Sequence, residues 1–350
     1  MRVVVVGASG NVGTSVLRAL ADEPGVDSVL GLCRRLPEAD FPKTEWREAD
    51  VVRTPLRPLF QAADAVVHLA WLIQPGRDIE TLRAVNVDGS ARVFRAAAAA
   101  GVGTLVYASS VGAYAPGPKD RRVDESWPTT GIGTSFYSRH KAEVERLLDA
   151  FEREQEGIRV VRLRPGLIFK RDAASEIRRL FAGPLLPSAL VRRELIPVVP
   201  AVERLVFQAV HSHDVGEAYR LAIVGDAAGS FNIAAEPVLD PAELGRILGA
   251  RPVPLPGRVL RGAAAATFKL RLQPSEPGWV DMGLGVPLMD MTHAHEELGW
   301  QPRHSASDAL VDLLEGMREG AGLDTPALEP GGAGPLRARE FLSGVGGRTG

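Results

Sequence analysis

Cysteine is almost missing from this chain: Cys33 stands alone in 350 residues. No intramolecular disulfide can form, and such usage points to a reducing, cytoplasmic setting. Long apolar runs are missing too. Nothing approaches the roughly 20 apolar residues of a membrane-spanning helix, and the Ala-rich VFRAAAAAG is short and carries Arg95. The apolar run inside the opening MRVVVVGASG is too short for a signal-peptide core. Neither sign of charge dominates, since the formal net charge is −2. That excludes a broad basic surface for nucleic acid. The expected partner is a small molecule, with no membrane and no nucleic acid.

Tyrosine and lysine are scarce, at four and five residues. Their scarcity makes one stretch informative. FYSRHK places Tyr137 four residues before Lys141, and random placement of so few residues would rarely do so. Residues four apart share one face of a helix, roughly 5–6 Å apart at Cβ. A free phenol is a poor base at neutral pH. A nearby cation stabilises the phenolate and lowers its pKa, which would make Tyr137 a usable general acid/base.

Short β-branched runs alternate with helical stretches through the first half. RVVVV, SVLGL, TEWREADV, AVVHLA, TLVYASS and IRVVRLRP read as six strands. NVGTSVLRALAD, the stretch from Asp78 to Gly101 and the stretch from Tyr137 to Gln155 read as helices, with Glu143, Glu145 and Arg146 on outer faces. This rhythm predicts an α/β fold with a doubly wound parallel, Rossmann-type sheet. After Pro165 the rhythm breaks, so residues 166–320 are expected to form a smaller C-terminal α+β substrate lobe. Some of its strands could return to the main sheet formed by residues 1–165. Residues 321–350 turn to Gly, Pro and Ala and read as a mobile or loosely docked tail.

GASGNVG sets Gly7, Gly10 and Gly13 between the first strand and the first helix. That is where a pyrophosphate-binding turn belongs: glycine permits close backbone approach, and the helix start offers N–H donors. The spacing is G-x-x-G-x-x-G. Together with HLAW, NVDGS, YASSVGAY, YSRHK, RPGLIF, HSHDVGEA and ELGW, it resembles the extended short-chain dehydrogenase/reductase superfamily, in its NAD-dependent epimerase/dehydratase branch.

The resemblance implies roles by position. Ser110, Tyr137 and Lys141 would be catalytic, with Ser109 behind Ser110 and Lys141 also on the nicotinamide ribose. Gly7, Ser9, Gly10, Asn11, Val12 and Gly13 would hold the pyrophosphate. Asp50 and Val51 would meet the adenine, and Leu69, Ala70 and Pro165 would line the cofactor path. Asn86 would support a water and the active-site Lys. Cys33 stands where NAD-preferring relatives carry an acid, and Arg34 and Arg35 follow it. Guanidinium groups suit a 2′-phosphate, so NADP is the preferred cofactor, with NAD possible. HSHD would pack the second lobe onto the first, and neither His-rich cluster offers a recognised metal-ligand spacing. A homodimer through the two long helices is also implied.

Two enzyme readings remain. One is an NAD(P)-dependent reductase or dehydrogenase on a partly apolar substrate. It is favoured by the apolar, Pro-rich stretch from Phe181 to Val206, and by Phe207 where sugar-nucleotide relatives often carry Arg. Lys170, where Gly is common, is expected near the substrate mouth. The other reading is a nucleotide-sugar epimerase or dehydratase. A non-catalytic NADP sensor is disfavoured because Tyr137 and Lys141 are both retained.

Overall fold

A strand buried on both faces needs apolar side chains at every position, and RVVVV supplies them. In the computed structural model, which describes residues 1–74, 76–182 and 196–330, Val3, Val4 and Val5 of β1 (Arg2–Val6) are fully buried. The next strands are β2 (Ser28–Cys33), β3 (Thr44–Glu48), β4 (Ala65–His68) and β5 (Thr104–Ala108). A short β6 (Arg122–Val123) pairs with Leu288–Met289 outside the main sheet. Then come β7 (Arg159–Pro165), β8 (Leu167–Phe169), β9 (Val198–Ala201), β10 (Phe207–His211), β11 (Gly229–Ile233), β12 (Ala235–Leu239) and β13 (Arg251–Pro254).

The main sheet has seven strands in the order β11-β7-β5-β4-β1-β2-β3, all parallel. The chain reverses its direction of growth between β1 and β4. A crevice at such a switch point, beyond the strand C-termini, is where an open α/β sheet binds its ligand. Alternate residues feed two cores. Val3, Val5 and Val67 face α1 (Asn11–Ala21) and the helix Ser212–Val224, whereas Val4, Val6 and Val66 face the opposite layer.

That opposite layer contains α2 (Arg57–Phe60), α3 (Ile79–Arg83), α4 (Gly89–Ala100) and α5 (Phe136–Glu154). The helix expected from Asp78 to Gly101 has both predicted ends. Asp78 accepts the Thr81 N–H at 3.0 Å, and Gly101 closes the helix in left-handed conformation (φ 73°). Its middle differs: a π-turn, Ala84–Asp88, interrupts it and carries Asn86. Such turns are frequent at functional sites.

The second lobe holds the sheet β12-β10-β8 and the pair β13-β9, while β11 adds to the edge of the main sheet. Two helices here, Gly257–Lys269 and Gly278–Gly285, have no counterpart in the sequence reading. Most of the apolar stretch expected to shape the substrate mouth, residues 183–195, lies outside the described residues, as do residues 331–350. Residues 321–330 are not the loose tail expected. Thr325 and Leu328 are buried, and the Thr325 hydroxyl donates to Ser9 O at 2.8 Å. The Gly-rich composition hid one apolar anchor, Leu328.

Candidate active site

The glycine loop follows β1 and opens α1. Gly7 is left-handed (φ 89°), and a Cβ there would lie 2.7 Å from the Ala70 nitrogen, so glycine lets the β4 exit come close. A Cβ on Gly13 would meet Ala8 O at 2.4 Å. On Gly10 it would make only an ordinary contact, with Gly7 O at 3.7 Å. Gly10 is also the N-cap of α1 and provides no side-chain cap. The first-turn N–H groups of Asn11 and Val12 are therefore open to an anion, and this cradle fits a dinucleotide pyrophosphate. Asn11 donates to Ile168 O at 3.3 Å, while its Oδ1 is buried without a partner among the described residues.

The ends of β2 and β3 meet beside this loop. Ala49 N–H donates to Cys33 O at 2.8 Å. Burial pushes the Cys33 thiol up. Asp50 caps its own turn by accepting the Val52 N–H at 2.7 Å, and Val51 is buried beside it. Arg34 is exposed. Arg35 donates to Pro326 O at 3.2 Å, so the 321–330 segment crosses the edge of the predicted adenosine site.

Tyr137 lies in the first turn of α5, which starts because Ser135 caps it. The Tyr137 phenol lies beside Ser110, whose hydroxyl accepts the Gly112 N–H at 3.0 Å. Its ring lies between Trp71 (centroids 5.8 Å apart, edge-on) and Trp279 (4.9 Å). A Cβ on Gly112 would touch the ring at 2.9 Å, so glycine lets the phenol settle against the end of β5. Lys141, one turn on, is buried; its Nζ donates to Ala108 O at 2.6 Å and sits 3.5 Å from the Trp71 ring centre. The structure thus brings Ser110, Tyr137 and Lys141 together, and Ala70–Trp71 links them to Gly7.

One expectation is reversed. Burial pushes the Tyr137 phenol up to about 12, only partly offset by Ser110. The Lys141 ammonium lies 5.8 Å from the phenol ring centre, is committed to Ala108 O, and is itself driven well down by burial. Desolvation outweighs the expected cation effect.

Glu145 corrects another expectation: it is fully buried, not outward-facing. It accepts from Arg164 Nε at 2.8 Å, from Arg162 at 2.9 Å and from the Ser109 hydroxyl. Burial alone would raise its pKa, but the two guanidinium groups outweigh it and hold Glu145 at about 2. The sequence did carry a signal. Arg162 and Arg164 alternate on one face of the buried strand β7, and buried cations require an anion opposite.

Asn86 is also buried. It clamps the loop after β4, accepting Leu72 N–H at 2.7 Å and donating to Leu72 O at 2.8 Å. Lys170 does not sit at the substrate mouth. It is buried behind α1, donating to Asn11 O, Thr14 and Ser15, and burial lowers it to about 7. HSHD meets α1 as expected: Ser212 and Ser15 hydroxyls lie 2.8 Å apart. Its histidines take separate partners, His211 on Asp312 and His213 on Arg18. Pro165 ends β7, next to the Gly166 N–H that donates to Ile233 O. Trp71 and Trp279, which flank the phenol, were not singled out from sequence.

A switch-point crevice and a glycine turn without a side-chain cap lie on a Rossmann-like α/β fold, with Ser110, Tyr137 and Lys141 grouped beside them. A family model described as the NAD dependent epimerase/dehydratase family matches residues 3–234, and the chain belongs to that family. An uncharacterized protein of Mycobacterium tuberculosis is 28% identical over 330 residues, 92% of this chain but only 31% of that protein. The structure of a Thermotoga maritima UDP-glucose 4-epimerase with UDP-glucose superposes with TM-score 0.67 at 21% identity, covering 91% of this chain and 99% of that one. A Streptomyces venezuelae dTDP-glucose 4,6-dehydratase with NAD bound gives 0.66 at 21%, covering 91% and 97%.

Proposed function

We propose that this chain is an NAD-dependent epimerase or dehydratase acting at an oxygen-bearing carbon of a nucleotide-linked sugar. One observation carries the chemistry: a half-buried Tyr137 phenol, beside Ser110 and one turn from Lys141, at the crevice that the glycine loop opens. The family match and the nucleotide-sugar neighbours support the substrate class.

Bound there, a nicotinamide dinucleotide would accept and return the hydride. Gly7, Gly10 and the N–H groups of Asn11 and Val12 would hold its pyrophosphate, Asp50 and Val51 its adenine end, and Lys141 its ribose. Leu69, Ala70 and Pro165 would line its path. Ser110 orients the substrate oxygen, and Tyr137 Oη gives or takes the proton there. A phenol near 12 holds its proton at neutral pH, which suits the donating direction. For proton removal the Lys141 charge must act on the phenol rather than on Ala108 O. NAD is supported over NADP by the NAD-bound neighbour and by the engagement of Arg35 with Pro326.

The test is NMR of UDP- and dTDP-sugars incubated with protein and NAD. New sugar signals are expected. No conversion, together with NADPH-dependent reduction of a ketone panel, would favour the second reading, a reductase or dehydrogenase for a less polar substrate. Trp71, Trp279 and Phe181, whose ring lies 4.9 Å from Trp279, speak for that reading. We also propose a homodimer packed through α4 and α5, tested by light scattering.

A further inference from the structure

The second lobe carries a surface that the chemistry does not use. From Leu244 to Ser275 the chain has no Asp or Glu, yet it has six cations: Arg246, Arg251, Arg258, Arg261, Lys269 and Arg271. In a protein of net charge −2 this is a concentrated basic segment. Arg246 and Arg261 are paired with Glu243 and Asp281. Among the described residues the other four make no ion pair.

The same segment exposes apolar side chains. The helix Gly257–Lys269 buries none of its 13 residues. Val259, Ala263, Ala266 and Leu270 fall along one outward stripe, with Arg258 and Lys269 beside them. Val259 is 49% exposed and Leu270 68%. Leu272, just past Leu270, is also exposed, as are Val253 and Val198 on the paired strands β13 and β9. Arg271 is left-handed (φ 59°), a strained conformation for a side-chain-bearing residue, between two exposed leucines. The helix walls an open apolar groove of about 290 Å³ that runs from Leu260, Ala263 and Ala264 to Trp279, whose ring lies 4.9 Å from that of Tyr137.

Exposed apolar side chains along one helix stripe mark an interaction site, and a rim whose acids, Glu243 and Asp281, are already paired while four cations are not selects an anionic partner. A helix with apolar residues on one stripe and cations at its edges is the pattern of a segment that lies in a lipid headgroup layer. We propose that this face docks the protein peripherally on an anionic lipid bilayer, which brings the membrane surface to the Trp279 side of the active site. This mode needs no spanning helix, and among the described residues no helix is long and apolar enough to cross a membrane.

The test is flotation of the full-length protein with phosphatidylcholine vesicles, with and without phosphatidylglycerol. Recovery with the anionic vesicles, weak recovery with pure phosphatidylcholine and loss at high salt are expected. Each cation near an anionic surface is worth about fivefold in partitioning, so Arg258→Glu with Lys269→Glu should lower recovery at least tenfold. Leu270→Asp should do so independently. All three side chains are exposed, and an unchanged circular dichroism melt confirms an intact fold. No flotation with anionic vesicles, or flotation indifferent to these substitutions, would overturn the proposal. Self-association abolished by the same substitutions, without vesicle binding, would assign the face to a second copy instead.

Discussion

Loss of water disfavours the charged form of both the phenol and the ammonium that share this helical turn. Tyr137 keeps its proton and Lys141 is pressed toward neutrality, each through loss of water. Tyr137→Phe removes the movable proton and nothing else. Turnover should fall by on the order of 10²–10⁴, with dinucleotide binding retained by fluorescence titration; full activity would refute the assigned role. Lys141→Met should abolish turnover yet raise the thermal midpoint. A lysine whose folded pKa lies below its unfolded value costs stability wherever the unfolded chain is protonated, and that cost fades as pH rises toward about 10.4. Glu145 has the opposite sign. Its folded pKa is depressed, so its contribution is full above pH 4.5 and is lost as pH falls through about 2. Glu145→Gln leaves Arg164 facing a neutral group, while Arg162 keeps Asp149 and Glu152, and should cost about 3–5 kcal/mol in urea unfolding at pH 7. A smaller loss above pH 5 would show that Arg164 finds another partner.

At the scale of elements, the strands and helices of the first half were legible because each has a period and a punctuation mark. RVVVV could only be a covered strand, and Gly101 could only end its helix. The π-turn at Ala84–Asp88 was not legible, since one extra residue leaves the hydrophobic stripe almost unchanged. Tyr137, Lys141 and Ser110 were legible from spacing and family pattern. Trp71 and Trp279 were not: they come from segments far apart in sequence and meet only through the fold. The Ala-rich helix Gly257–Lys269 buries no residue, and its apolar stripe faces outward rather than onto a core. Residues 321–330 were misread because composition averages over single anchors. Leu328 is fully buried, and Leu328→Ala should cost about 2–5 kcal/mol. A urea midpoint within error of the parent would restore the picture of a loose tail.

For the whole molecule, the question is whether the second lobe merely caps the first or sets the geometry of its phosphate loop. Three ties converge on the first turns of α1: Ser212 on Asn11 O, Ser15 on Ser212, and Lys170 on Asn11 O, Thr14 and Ser15. All the partners come from β10–β11 connections or from β8's end, beyond Pro165. Gly216 allows the approach, because a Cβ there would lie 2.5 Å from Ser15 O. That oxygen belongs to helix backbone and cannot swing aside, so Gly216→Val must push two helices apart. Overpacking of this kind costs roughly 1–3 kcal/mol. If the second lobe positions the loop, the thermal midpoint and the dinucleotide affinity should fall together, the affinity by about tenfold for each 1.4 kcal/mol of misplacement. A variant with a lower midpoint and unchanged affinity would mean that α1 carries its anion site alone, and that the ties from the second lobe serve stability only.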